Sequence, residues 1–137
     1  MTNFMLLKGF EVELFTGTYA GKNVGVASAI TEDLSDFVKE PDQRNLEYIT
    51  VPDQRYAVLK HALLLPRQKL RKWLDFQKLT ILPGSTLSLG NTKIFERSDL
   101  ENSYHSFIEK NYGTNVVTAS IHTVSYTHLT LPTKRIV

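Results

Sequence analysis

Cysteine is absent from the 137 residues. That excludes disulfides and thiolate metal sites, so any metal must be held by oxygen or imidazole ligands. Long apolar runs are missing too: no stretch of the chain approaches the ~20 residues needed to span a bilayer. Met1–Lys8 has no basic region ahead of a long apolar stretch, so it does not read as a secretory signal, and the cytoplasm is the expected compartment. Net charge is also scarce, at +2. From Val124 onward only Lys134 and Arg135 are charged, which leaves residues 1–123 formally neutral. A neutral body gives no reason to expect a nucleic acid or a membrane surface as partner. No Ser/His/Asp set, zinc motif or dinucleotide fingerprint is recognisable in the sequence.

What is present reads as one α+β domain. Leu6–Phe15 alternates Phe10, Val12 and Leu14 with Gly9, Glu11 and Glu13, the period of a half-buried strand. Gly17 and Gly21 mark a turn over Thr16–Lys22, which makes Asn23–Ser28 a returning strand. Thr31-Glu32-Asp33-Leu34 has the acidic first turn of a helix start. Arg44–Thr50 is a second strand, with Leu46, Tyr48 and Thr50 on one face and Asn45, Glu47 and Ile49 on the other. Gln54–Gln77 carries Leu59, Ala62, Leu63, Leu70, Trp73 and Leu74 at helical spacing, and Pro66 is expected to kink or split it. Leu79–Leu82 reads as a short strand ending at Pro83-Gly84. Asp99–Asn111 reads as a helix capped near Ser98 or Asp99 and closed near Gly113. Val116–His122, rich in β-branched residues, is a further strand. The expectation is an antiparallel or mixed sheet backed by helices on one side.

Chemistry is sparse. Glu11 and Glu13 leave the same face of a strand with Cα atoms about 7 Å apart, close enough to favour an intervening cation such as Mg²⁺, which takes hard oxygen ligands. An isolated Glu-x-Glu is more commonly a wet strand face. Glu40 and Glu47 form a second acidic pair across Pro41, with Asp42 and Arg44 nearby; alone, this is an ordinary polar loop entering a strand. A lone strand histidine such as His122 is more often a core residue than a ligand. Ser85, Thr86 and Ser88 lie in a small-residue loop that is no Walker sequence. Arg67, Lys69, Arg71 and Lys72 read as the solvated face of a helix.

Four blocks together are more specific. Residues 5–14 (MLLKGFEVEL), 37–48 (FVKEPDQRNLEY), 82–90 (LPGSTLSLG) and 112–122 (YGTNVVTASIH) resemble, in order and spacing, the start of the cyanobacterial-type glutamate–cysteine ligases. The resemblance spans essentially all of residues 5–122. It implies a truncated catalytic domain similar to that of glutamine synthetase, an antiparallel sheet curled around metal ions. It also implies the first reaction of glutathione synthesis. ATP phosphorylates the γ-carboxylate of glutamate, and the cysteine amine then displaces phosphate from the γ-glutamyl phosphate. By this resemblance Glu11, Glu13, Glu40, Glu47 and His122 are Mg²⁺ ligands, with Asp42 an alternative to Glu40. Ser85, Thr86, Arg97 and Ser120 are candidates for contacts with ATP or substrate. The implied partners are small molecules: glutamate, cysteine and ATP. Other readings are a different glutamate carboxylate–amine ligase and a non-catalytic metal- or nucleotide-binding module.

The match stops at His122. Residues 124–137 resemble the translated read-through of a sequencing adapter, the alternative being a genuine C-terminal strand. With the family's downstream metal- and nucleotide-contacting segments replaced by this tail, the chain is expected to be inactive. A coupled ATPase assay with glutamate and cysteine is expected to give background turnover only; turnover above background contradicts the expectation.

Overall fold

The computed structural model describes residues 5–84, 98, 103–112 and 123–130. The elements run β1 (Met5–Gly17), α1 (Ala27–Asp33), β2 (Phe37–Lys39), β3 (Asn45–Ile49), α2 (Tyr56–Phe76), β4 (Thr80–Leu82), α3 (Ser103–Tyr112) and β5 (Thr123–Thr130). The class is α+β, and every strand pairing among the described residues is antiparallel.

The long first strand organises the sheet. Glu11 pairs with both Ile49 and Val124, and Phe15 with both Asn45 and Leu82. Strand β3 therefore lines one edge of β1, while β5 and β4 follow one another along the opposite edge. Strand β2 lies outside β3, with Phe37 opposite Tyr48 and Val38 opposite Glu47. The alternation expected of β1 and β3 is present. Val12, Leu14, Leu46 and Tyr48 enter one core with Ala27 and Ile30 of α1 and Leu70 and Leu74 of α2. Both helices thus cover the apolar face, and the glutamates project from the other. Burying each large aliphatic side chain contributes about 1.5–3 kcal/mol.

Several local expectations are corrected. After the turn, Asn23 makes only an isolated bridge to Gly17. The chain then enters α1 in place of a strand. Ala27 and Ile30, three apart, are buried, and Val26 and Leu34 pack against the same core, a helical spacing that outweighs the extended reading. Thr31–Asp33 consequently closes this helix instead of opening one; Leu34 is already extended. Gly17 is required at the turn because a Cβ there would come within 2.3 Å of the Lys22 carbonyl oxygen.

Pro66 does not split α2. It is buried on the face the helix turns to the core, in register with Leu59, Leu70 and Leu74. Tertiary burial outweighs the hydrogen bond lost from its missing N–H. One turn earlier the Tyr48 hydroxyl donates to the Leu63 carbonyl at 2.7 Å, fastening α2 to β3. Of the helix expected over Asp99–Asn111, the described part is Ser103–Tyr112; residues 99–102, next to its expected start, lie outside the described residues. The strand expected over Val116–His122 lies outside the described residues. Thr123–Thr130, which includes the described part of the adapter-like segment, forms β5 along Met5–Val12. Ladder bonds come from backbone groups, and valine, tyrosine and threonine suit strands, so this pairing is open to the segment whatever its origin. No helix among the described residues is long and apolar enough to cross a membrane.

Helix α2 ends in a Schellman motif. Leu79 N–H donates to the Leu74 carbonyl and Lys78 N–H to that of Asp75, with Lys78 in the left-handed region at φ 57°. Glycine is the usual residue at this position because a Cβ is disfavoured there. Lys78→Gly is expected to stabilise the protein by roughly 1 kcal/mol in urea denaturation; a destabilised variant contradicts this account of the helix end.

Candidate metal centre

Sheet register places the acidic groups. Glu13 lies directly opposite Glu47, which lies opposite Val38. Glu40 follows one residue beyond β2, in register with Asn45 and on the face of Glu47, two residues from Val38. Ligand oxygens of Glu13, Glu40 and Glu47 all come within 4.8 Å of one another. Glu13 is buried, and Glu40 and Glu47 are half-buried. Three strand-borne or strand-flanking carboxylates therefore converge on one side of the sheet.

Their surroundings are polar and ordered. Asn45 Nδ2 donates to Glu13 Oε2 at 3.2 Å, while its Oδ1 accepts from the Leu46 N–H at 2.8 Å. The β2–β3 turn is fixed by Asp42 and Arg44, both buried. Arg44 donates through Nε at 2.7 Å and Nη2 at 2.5 Å to the two carboxylate oxygens of Asp42, and its backbone N–H adds a third bond at 2.9 Å. Gln43 ties the same turn to α1: its Nε2 donates to Ser28 Oγ and its Oε1 accepts from the Ser28 N–H.

The carboxylates bear on one another's ionisation. Burial raises the Glu40 carboxyl, reinforced by a hydrogen bond with Glu47 and by the charges of Glu47, Glu13 and Glu11, to about 8. A proton shared with Glu47 is the metal-free means of relieving like-charge repulsion. A divalent cation is the other. Oxygens on Mg²⁺ at about 2.1 Å stand about 3.0 Å apart when adjacent and about 4.2 Å when opposite. The three carboxylate oxygens, all within 4.8 Å of one another, would have to draw together to reach that spacing, and their hard oxygens suit Mg²⁺, Mn²⁺ or Ca²⁺.

Of the residues singled out in the sequence, Glu13, Glu40 and Glu47 are brought together. Glu11 shares their face but is outside the three-residue set; it acts on Glu40 through its charge. Asp42, the alternative to Glu40, is bound by Arg44 and is absent from the cluster. Ser85, Thr86, Arg97, Ser120 and His122 lie outside the described residues. Two neighbours were not anticipated. Asn45 was detectable, since it stands two residues before Glu47 on the same strand face. Ser98 was not, because it reaches this region across 58 residues of sequence. No protein-family model matches the chain, and no curated protein matches it.

The pH dependence has a definite sign. In the folded state the Glu40 carboxyl is raised to about 8, above its ordinary value of 4.5, so between these values the folded chain holds a proton that the unfolded chain releases. That contribution to stability is fully present below 4.5 and is lost as pH rises through about 8. In chelator, urea midpoints are expected to fall from about pH 5 to about pH 9, and Glu40→Gln is expected to flatten the fall. An unchanged slope in the variant contradicts the assignment.

Proposed function

We propose that this chain belongs to an ATP-dependent glutamate–cysteine ligase with a glutamine-synthetase-like sheet, and that Glu13, Glu40 and Glu47 hold Mg²⁺ there. The convergence of three carboxylates from successive strands carries the proposal. Joining a carboxylate to an amine through an acyl phosphate requires a carboxylate to attack a triphosphate against strong mutual repulsion. Bound Mg²⁺ supplies the charge neutralisation that this step needs.

Each residue's part follows from its place. Glu13, the most buried of the three, is oriented by Asn45 and forms the fixed floor of the site. Glu47 is directly opposite it, so sheet register sets their separation. Glu40 enters from the turn and would give up its proton where a divalent cation bound. Glu11, farther along the same strand face, adds its negative charge to that of the cluster. By the same resemblance, His122 is proposed to join the same ion group. Ser85, Thr86, Arg97 and Ser120 are proposed contacts for ATP, glutamate and cysteine, and the cytoplasm is the compartment that fits this chemistry. The acyl phosphate would form between the glutamate γ-carboxyl oxygen and the terminal phosphorus of ATP, releasing ADP. Attack by the cysteine amine would then release phosphate.

A metal-binding module without catalysis is the second reading, favoured by the same three carboxylates converging within one chain. Calorimetry tests both. Mg²⁺ is expected to bind the wild-type chain, and Glu47→Gln to weaken binding roughly tenfold or more. Tight binding of Mg²⁺ with a non-hydrolysable ATP analogue by this chain alone favours the module, whereas Mg²⁺ binding with little affinity for the nucleotide favours the ligase, whose further nucleotide contacts lie downstream. Equal heats for wild type and variant contradict the site altogether.

A further inference from the structure

Glu40 occupies the least secured place in the ligand set. Glu13 and Glu47 lie within paired strands, whereas the β2–β3 ladder ends at Lys39 opposite Leu46, one residue before Glu40. Pro41, next in the chain, biases Glu40 toward an extended conformation but supplies no N–H. The side chain meanwhile lies among the carboxylates of Glu13 and Glu47. Something other than the ladder must hold the backbone here.

Ser98 does so with both of its donors. Its hydroxyl donates to the Glu40 carbonyl, and its backbone N–H donates to the Pro41 carbonyl at 2.9 Å. The residue is buried, at 4% exposure, so neither bond competes freely with water, and a buried carbonyl without its donor is costly. The rest of the turn is secured elsewhere, by Arg44 on Asp42 and by Ser28 on Gln43. Ser98 is thus the described contact that fastens the two residues between the end of β2 and that secured turn.

We infer that Ser98 is a positioning residue for the metal centre: by holding the successive carbonyls of Glu40 and Pro41, it keeps the Glu40 carboxylate within reach of a divalent cation shared with Glu13 and Glu47. The inference rests on the metal-site reading above. It assigns to Ser98 a role in affinity exerted entirely through Glu40, with no contact to the ion.

Mn²⁺ binding, followed by loss of the free-ion paramagnetic resonance signal, tests the inference on the whole chain. Wild type is expected to bind; S98A is expected to bind about 10-fold more weakly, as outer-sphere positioning residues do. S98T, which retains the hydroxyl, is expected to stay within about twofold of wild type. In an E40Q background the S98A change is expected to have no further effect, because its target is already gone. A merely structural role predicts instead that the two losses multiply, and that outcome overturns the inference. Ser98→Cys, of similar volume but a weaker donor, carries the same expectation and decides the matter if circular dichroism shows S98A unfolded. Wild-type affinity in the folded alanine or cysteine variant overturns the role of Ser98 alone. Failure of the wild-type chain to bind Mn²⁺ overturns the metal site, and this inference with it.

Discussion

Carboxylates brought within a few ångström of each other and partly removed from water repel, and the fold around Glu13, Glu40 and Glu47 is arranged so that they cannot separate. The register of β1 against β3 sets Glu13 facing Glu47. That register is itself secured by the other side of the sheet, where Val12 and Leu14 meet Leu46 and Tyr48 in the core beneath α1 and α2. Slipping either strand by one residue would turn its apolar residues outward and its glutamates into the core. Hydrophobic burial on one face therefore enforces charge convergence on the other.

The turn between β2 and β3 extends this constraint beyond the ladder. Asp42 is close in sequence to the glutamates and could have added a further negative charge, but its bidentate pairing with the buried Arg44 neutralises it and stiffens the turn. Gln43 anchors the turn to the first helix, and Ser98 holds the strand end at Glu40. A set of polar contacts that stabilises the hairpin also decides which acidic side chain reaches the cluster. Burial first, then the hydrogen bond with Glu47 and the charges of Glu47, Glu13 and Glu11, lift the Glu40 carboxyl far above its ordinary value.

Much of this was legible in the residues, and the rest was not for physical reasons. Period-two alternation gave the faces of β1 and β3 directly, and helical spacing gave α2. Helix α1 is hard to place from sequence because Glu32 and Asp33 look like an acidic first turn, while the apolar spacing of Val26, Ala27, Ile30 and Leu34 begins earlier. Three-residue β2 offers too short a pattern to register. Glu40 and Asp42 could not be separated by sequence, since their difference depends on the Arg44 bond and on hairpin register. At Pro66 the local rule favours a break, whereas burial against the sheet holds the helix continuous. Ser98 leaves no local signal at all, because its partners lie 58 residues away.

The most direct test of the central claim is anomalous diffraction from a crystal of this chain soaked in Mn²⁺. A peak about 2.1–2.2 Å from oxygens of Glu13, Glu40 and Glu47 together is the predicted result. A peak elsewhere on the molecule, or none with the Glu40 and Glu47 carboxyl groups still hydrogen-bonded to each other, would contradict it.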